Sequence, residues 1–215
     1  MSKVAILGSG IVGQVLADGF LKHGYSVMRA TREPSKLAAW QSDAGPKATV
    51  GTFAEAAKFG DVIVLAVKGT AAEQAVELAG PQALAGKTVI DATNPIADEP
   101  PVNGVLKFFT GPNESLLERL ARRAPDAHFV KAFSSVGSVW MVNPDFGGVR
   151  PTMFICGDNA AAKKQVEGIL DAFGWETEDM GSVEAARAIE PLCMLWCIPG
   201  LQNNRWTHAF KLLKK

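Results

Sequence analysis

The residues Gly8-Ser9-Gly10-Ile11-Val12-Gly13 constrain this chain more than any others. A lone G-x-G-x-x-G carries little weight, so its context decides. Here it directly follows Val4–Leu7, a short β-type run. It opens Ile11–His23, whose apolar residues at 11, 12, 15, 16 and 20 make a helical stripe. Gly24 is a natural helix stop, and Tyr25–Ala30 reads as a second strand. In such a βαβ unit each glycine has a task. Gly8 permits the tight turn, Gly10 lets a pyrophosphate approach the backbone, and Gly13 lets helix and strand pack closely. The free N–H groups and positive dipole end of the helix then face the phosphates.

The alternation continues along the chain. Strands are expected at 48–50, 62–67, 88–92, 129–133, 152–156 and 176–180. Helices are expected at 35–41, 53–59, 71–79, 114–123 and 159–173. Ser182 is placed to cap a helix running to about Cys197. Pro199-Gly200 is expected to break it, with a last helix following to Leu213. This pattern predicts an α/β fold, a Rossmann-type doubly wound, mostly parallel sheet with a small C-terminal α/β extension. Residues 1–150 form the expected dinucleotide-binding domain and 151–215 an extension packed on the same body. Ligands in such sheets bind at the carboxyl ends of strands, which directs attention to the residues after Leu7, Ala30, Val67, Ala92 and Phe133.

The second strand reports on the dinucleotide. An NAD site usually carries an acidic residue at its end; here the sequence runs Ala30-Thr31-Arg32-Glu33-Pro34-Ser35-Lys36. Thr31 with Ser9 offers hydroxyls, while Arg32 and Lys36 offer positive charge, a set suited to a 2′-phosphate. Glu33 is the competing signal, but it lies beyond the strand and beside Arg32. NADP is therefore expected over NAD. Ala66, Val67 and Lys68 leave the fourth strand near the expected nicotinamide ribose. Asn94 either holds the carboxamide or ribose or makes a simple turn. Pro95, Ser134 and Ser135 are candidate acceptor-site residues on the same footing. No Ser/His/Asp or Cys/His arrangement suggests a nucleophile, and no catalytic side chain or metal ligand set is assigned.

Composition excludes other classes. The 22 basic residues balance the 22 acidic ones, which argues against a nucleic-acid partner. No apolar run approaches the roughly 18 residues of a membrane span, and Val4–Leu7 is too short for a signal-peptide core. A cytoplasmic protein without a membrane partner is expected. Cys156, Cys193 and Cys197 read as core residues rather than zinc ligands. Trp196, Trp206 and Phe210 either pack on their own sheet or form a homodimer interface.

Several motifs stand together: the glycine loop, Thr31-Arg32, Asn94-Pro95, Val130-Lys131-Ala132-Phe133, Met141-Val142-Asn143-Pro144, Cys156-Gly157-Asp158 and Glu184-Ala185-Ala186-Arg187. With these the chain resembles the NADPH-dependent reductases of the deazaflavin coenzyme F420, over nearly its whole length. It is similar also to the cytosolic domain of the six-transmembrane metalloreductases. The resemblance implies NADPH on the glycine loop and on Thr31, Arg32 and Lys36. It further implies direct hydride transfer to a small-molecule acceptor, coenzyme F420 or a flavin, with no obligatory catalytic side chain. Relatives often read Asn-Thr where this chain has Ser134-Ser135, so the departure falls on the acceptor side. Two other readings are an NADPH-sensing protein without turnover and a small-substrate dehydrogenase. Dehydrogenases of the latter kind add a substantial helical domain, whereas only about two helices are expected after Met180.

Overall fold

The computed structural model describes residues 2–215. In chain order the elements are β1 (Lys3–Leu7), α1 (Ile11–Lys22), β2 (Ser26–Ala30), α2 (Ala38–Ala44), β3 (Ala48–Gly51), α3 (Phe53–Phe59), β4 (Val62–Leu65), α4 (Ala72–Ala79), α5 (Pro81–Leu84), β5 (Thr88–Asp91), α6 (Leu116–Arg123), β6 (His128–Lys131), β7 (Thr152–Ile155), α7 (Ala160–Ala172), β8 (Glu176–Asp179) and α8 (Ala186–Asn203). β1 to β6 form one parallel sheet in the order β3-β2-β1-β4-β5-β6, and β7-β8 form a second, two-stranded parallel sheet. This is the Rossmann-type order, with its topological switch between β1 and β4. The four residues of β4, Val62 to Leu65, are all buried, as expected for a strand covered on both faces.

Alternation along the strands sorts two apolar layers. Val4, Ile6, Val27, Val62 and Val64 face α1, together with Leu16 and Phe20. Ala5, Leu7, Ile63 and Leu65 face α3, α4 and α6. The first layer also takes in Met153, Ile155, Val166, Ile169, Leu170, Phe173 and Trp175, so the second sheet and α7 share the core of the first. Lys131 N donates to Cys156 O at 3.0 Å and joins the two sheets directly.

Local sequence explains the helix starts. Thr52 and Ser115 each form a capping box with the residue three positions on, Glu55 and Glu118. Helix α5 escapes the sequence reading because it is a single turn. The C-terminal expectation is overturned. Helix α8 passes through both Pro191 and Pro199, and Asn204 in the left-handed region ends it (φ 52°). Each proline removes one backbone donor, but packing holds the helix together. Trp196 lies over Gly137, and Trp206 covers Gly200 so tightly that a Cβ there would come within 2.2 Å of the ring. No helix follows. Residues 204–215 run beside β7, where Thr152 N donates to Phe210 O at 2.8 Å and Leu212 N to Thr152 Oγ1 at 3.1 Å. Lys211 and Lys214 pair with Glu176 and Glu178 of β8. Free backbone on the β7 edge thus outweighs the helical pattern of the tail.

Candidate functional site

The loops after β1, β2, β4 and β5 meet at the carboxyl edge of the large sheet and enclose two clefts. The first, about 340 Å³, is lined by Gly8, Ser9, Gly10, Thr31, Arg32, Phe53, Ala66, Val67 and Lys68, with Ala71 and one face of α4 (Gln74, Ala75 and Leu78). The second, about 720 Å³, is lined by Val12, Val67, Lys68, Gly69, Ala92, Thr93, Asn94 and residues 96–99. Val67 and Lys68 line both, so the clefts run on from one another across the switch point.

Each glycine of the loop behaves differently toward an added side chain. Gly8 has φ +150°, and a Cβ there would sit 2.2 Å from Ala66 O. A Cβ on Gly13 would come within 2.6 Å of Gly8 O, so this glycine lets α1 lie against β1. A Cβ on Gly10 would meet nothing within 4 Å. The space in front of Gly10 is therefore open to a ligand while the space behind Gly8 and Gly13 is filled. α1 has no acidic side chain in its first turn, which leaves its positive end uncompensated by its own sequence.

At the end of β2, Thr31 is buried and Arg32 is exposed on the cleft wall. Lys36 lies outside the cleft lining and pairs with Glu33 at 2.9 Å, both side chains being exposed. The Lys36 hydrogen bond holds the Glu33 carboxyl below the usual carboxylate range, with its charge and that of Arg32 adding to the effect. Ile11 is exposed at the start of α1. Sequence reasoning missed Arg29, which is buried behind the loop and donates from Nη2 to Ser9 O at 3.1 Å. A charged residue inside a strand pattern reads as solvated. The only available clue was that Arg29 shares the inward face of Val27.

The second cleft rests on a buried polar platform. Asn94 Nδ2 donates to Ser134 O at 2.7 Å, while Asn94 Oδ1 is buried with no partner among the described residues. Ser134 and Ser135 are themselves buried and line neither cleft, and Pro95 is buried beneath the loop. Phe133, just before Ser134, adopts φ 63°, a strained conformation for a bulky residue. Below this turn Lys131 is fully buried between Asp91 at 2.6 Å and Glu190 at 2.8 Å, and donates to Thr93 O at 3.0 Å. Burial works against the ammonium form of Lys131, but the two carboxylates outweigh it and raise the pKa. Asp91 Oδ1 in turn accepts from Thr93 N and Oγ1. Glu190 reaches across from α8 to accept from Leu116 N and Leu117 N at the start of α6. At the mouth of the cleft, Lys68 and Asp98 make an exposed pair at 3.5 Å. Burial pushes the Cys156 thiol up to about 12, consistent with an inert core residue. Cys193 is raised too, first by its hydrogen bond with Cys197 and then by burial.

Residues 3–95, which carry the glycine loop, Thr31-Arg32 and Asn94, match the family model described as NADP oxidoreductase, coenzyme F420-dependent. Over that segment the chain is similar to that family. It is similar to a putative F420-dependent NADP-reductase from Arthrobacter sp. FB24, with 28% identity and a TM-score of 0.92 over 100% of both chains. It is 33% identical over 204 residues to metalloreductase STEAP3 of Rattus norvegicus; the match takes in 93% of this chain and 38% of that protein. The chain thus spans well under half the length of this curated relative. An imine reductase from Pseudomonas sp. shares the fold, with 21% identity and a TM-score of 0.66, over 90% of this chain and 59% of its own. Among the described residues no helix is long and apolar enough to cross a membrane.

Proposed function

We propose that the chain binds NADP(H) along the two joined clefts and passes a hydride between it and a deazaflavin, flavin or similar ring. One observation carries the reading: an open glycine loop at the switch point shares a cleft with Thr31 and Arg32 and with no carboxylate. Gly8, Ser9, Gly10, Ile11, Val12 and Gly13 would hold the diphosphate at the positive end of α1. Thr31 and Arg32 would take the 2′-phosphate, and Lys36 would add charge from outside the cleft. Ala66, Val67 and Lys68 would line the path toward the nicotinamide. Asn94 has its amide nitrogen fixed by Ser134 O, so its buried, idle Oδ1 suits a donor such as the carboxamide or a ribose hydroxyl.

Bound NADPH would bring the hydride chemistry, and the residues here would supply alignment. The second cleft, walled by Val12, Val67 and residues 96–99, leaves room for a flat acceptor. Holding two rings in contact accounts for much of such a barrier, and transfer to a flavin-like ring needs no side-chain acid. Pro95, Ser134 and Ser135 would then act from beneath, by setting the Asn94 turn.

The test is NADPH oxidation by the purified chain against deazaflavin, riboflavin and flavin mononucleotide. Turnover with at least one ring is expected. Tight NADPH binding with no turnover on any of them would favour a sensing role instead.

A further inference from the structure

Arg29 lies in β2, whose other residues are Ser, Val, Met and Ala, and it is only 1% exposed. Nη2 donates to Ser9 O at 3.1 Å and lies 3.4 Å from Gly10 O, gripping the glycine loop from behind. The guanidinium carbon sits 4.8 Å from the centre of the Trp40 ring. Trp40 Nε1 donates to Asp18 Oδ1 at 2.7 Å, which makes Asp18 the nearby counter-charge, held one residue away. Nε and Nη1 are buried without any partner among the described residues. Burial accordingly lowers the Arg29 pKa, with Asp18 opposing it, although an arginine stays protonated in a protein.

A buried cation with two idle donor nitrogens destabilises a fold. Its location makes the cost intelligible. It stands beside the first turn of α1, whose positive end has no acidic residue of its own, and directly behind a loop open to ligand. Arg29 lines neither cleft, so its charge acts on the glycine loop from behind, on the side away from the open approach to Gly10.

We infer that Arg29 is a buried affinity determinant for the diphosphate of the dinucleotide, holding the glycine loop in place and leaving its charge for that anion to balance. The inference rests on the proposed reading of the clefts. Arg29 is a positioning residue, acting through the loop. It differs from Arg32 in what it senses. The diphosphate is common to NADPH and NADH, so Arg29 raises affinity for both, whereas Arg32 separates them.

Calorimetric titration of NADPH and NADH into the full chain tests this, comparing wild type with R29Q, R29K and R32A. R29Q should weaken both dinucleotides alike, by roughly ten- to a hundred-fold, and leave their affinity ratio unchanged. R29K, which keeps the charge, should lose less. The R29Q loss should persist at high salt because the charge is buried, whereas the effect of R32A should shrink. Without ligand, R29Q should melt close to the wild-type temperature, since the lost loop hydrogen bond is offset by removing a buried charge whose nearby counter-charge, Asp18, is one residue away. Wild-type affinity in R29Q, or a loss confined to NADPH, would overturn the inference. So would an R29Q chain that fails to fold or melts well below wild type, which would make Arg29 a packing residue. If the wild type bound neither dinucleotide, the cleft reading itself would fall.

Discussion

Arg32 and Gly10 face the same cleft and make opposite kinds of test. NADPH carries close to two more negative charges than NADH, all of them on the 2′-phosphate. A hydrogen bond to a charged group contributes ~1.5–3 kcal/mol, and ~1.4 kcal/mol is tenfold in affinity. R32A should therefore weaken NADPH binding by roughly ten- to a hundred-fold and NADH binding little. The quantity to measure is the NADPH to NADH affinity ratio, wild type against variant, in one buffer. An equal loss for both would reduce Arg32 to a stacking residue, and a wild type that prefers NADH would hand the ribose to Glu33. Gly10→Val asks about space instead. Because a Cβ there meets nothing within 4 Å, the unliganded fold should melt as the wild type does. The branched side chain would nevertheless occupy the approach to the loop, so dinucleotide binding should be lost. Unchanged NADPH affinity in that variant would end the glycine-loop reading.

Among the elements, α8 shows most clearly how remote parts of the chain meet at the site. Its Glu190 is buried against Lys131 and closes the start of α6 with two backbone hydrogen bonds. Glu190→Ala would leave Lys131 with one counter-charge and two buried N–H groups with none. A loss of about 3–5 kcal/mol is expected, read as a lowered denaturation midpoint; Glu190→Gln, which keeps an acceptor, should lose less. One helical turn earlier, Arg187 hydrogen-bonds Glu118 and, with the Ser115 cap, holds its carboxyl down at about 2 from an ordinary 4.5. A depressed carboxylate pKa stabilises the fold above the ordinary value and loses that contribution as pH falls through the folded value. Thermal stability should thus drop between about pH 4.5 and pH 2, and less steeply in Glu118→Gln. A pH profile identical in the two chains would remove Glu118 from the acid response. None of this was legible beforehand. The glycine loop, β1, α1 and β4 declare themselves through glycine spacing and unbroken apolar runs, which are local signals. Glu190 and Lys131 lie far apart in sequence and meet only through topology. Pro199 signals a helix end that the packing of Trp196 and Trp206 overrides, and the tail reads as helix because the β7 edge it covers is invisible in its own residues.

At the scale of the molecule, the second sheet decides whether residues 1–150 are a domain in their own right. Phe173 packs against Phe20 and Phe133, with ring centroids 5.0 and 6.3 Å away. Asn143 N donates to Phe173 O at 2.8 Å, and Trp175 Nε1 to Met141 O at 2.9 Å. Met153, Ile155, Val166, Ile169 and Leu170 fill the same layer as Val130 and Ala132 of the large sheet. Full burial of one such side chain is worth ~1.5–3 kcal/mol, and a whole domain is stable by only ~5–15 kcal/mol. Removing the set together therefore exceeds what the large sheet retains. It would also strip Glu190 from Lys131, leaving a buried ammonium with Asp91 alone. A chain ending at Arg150 should consequently be insoluble or molten, binding a hydrophobic dye and showing no cooperative melt. It should bind NADPH poorly even though it keeps the glycine loop, Thr31, Arg32 and Asn94, because the Asn94 turn leans on Ser134 and on Lys131, whose Glu190 partner the truncation removes. The decisive comparison is calorimetric melting and NADPH titration of the truncated and full chains side by side. A cooperative transition with undiminished NADPH affinity would make residues 1–150 a self-sufficient domain and residues 151–215 an appendage to it.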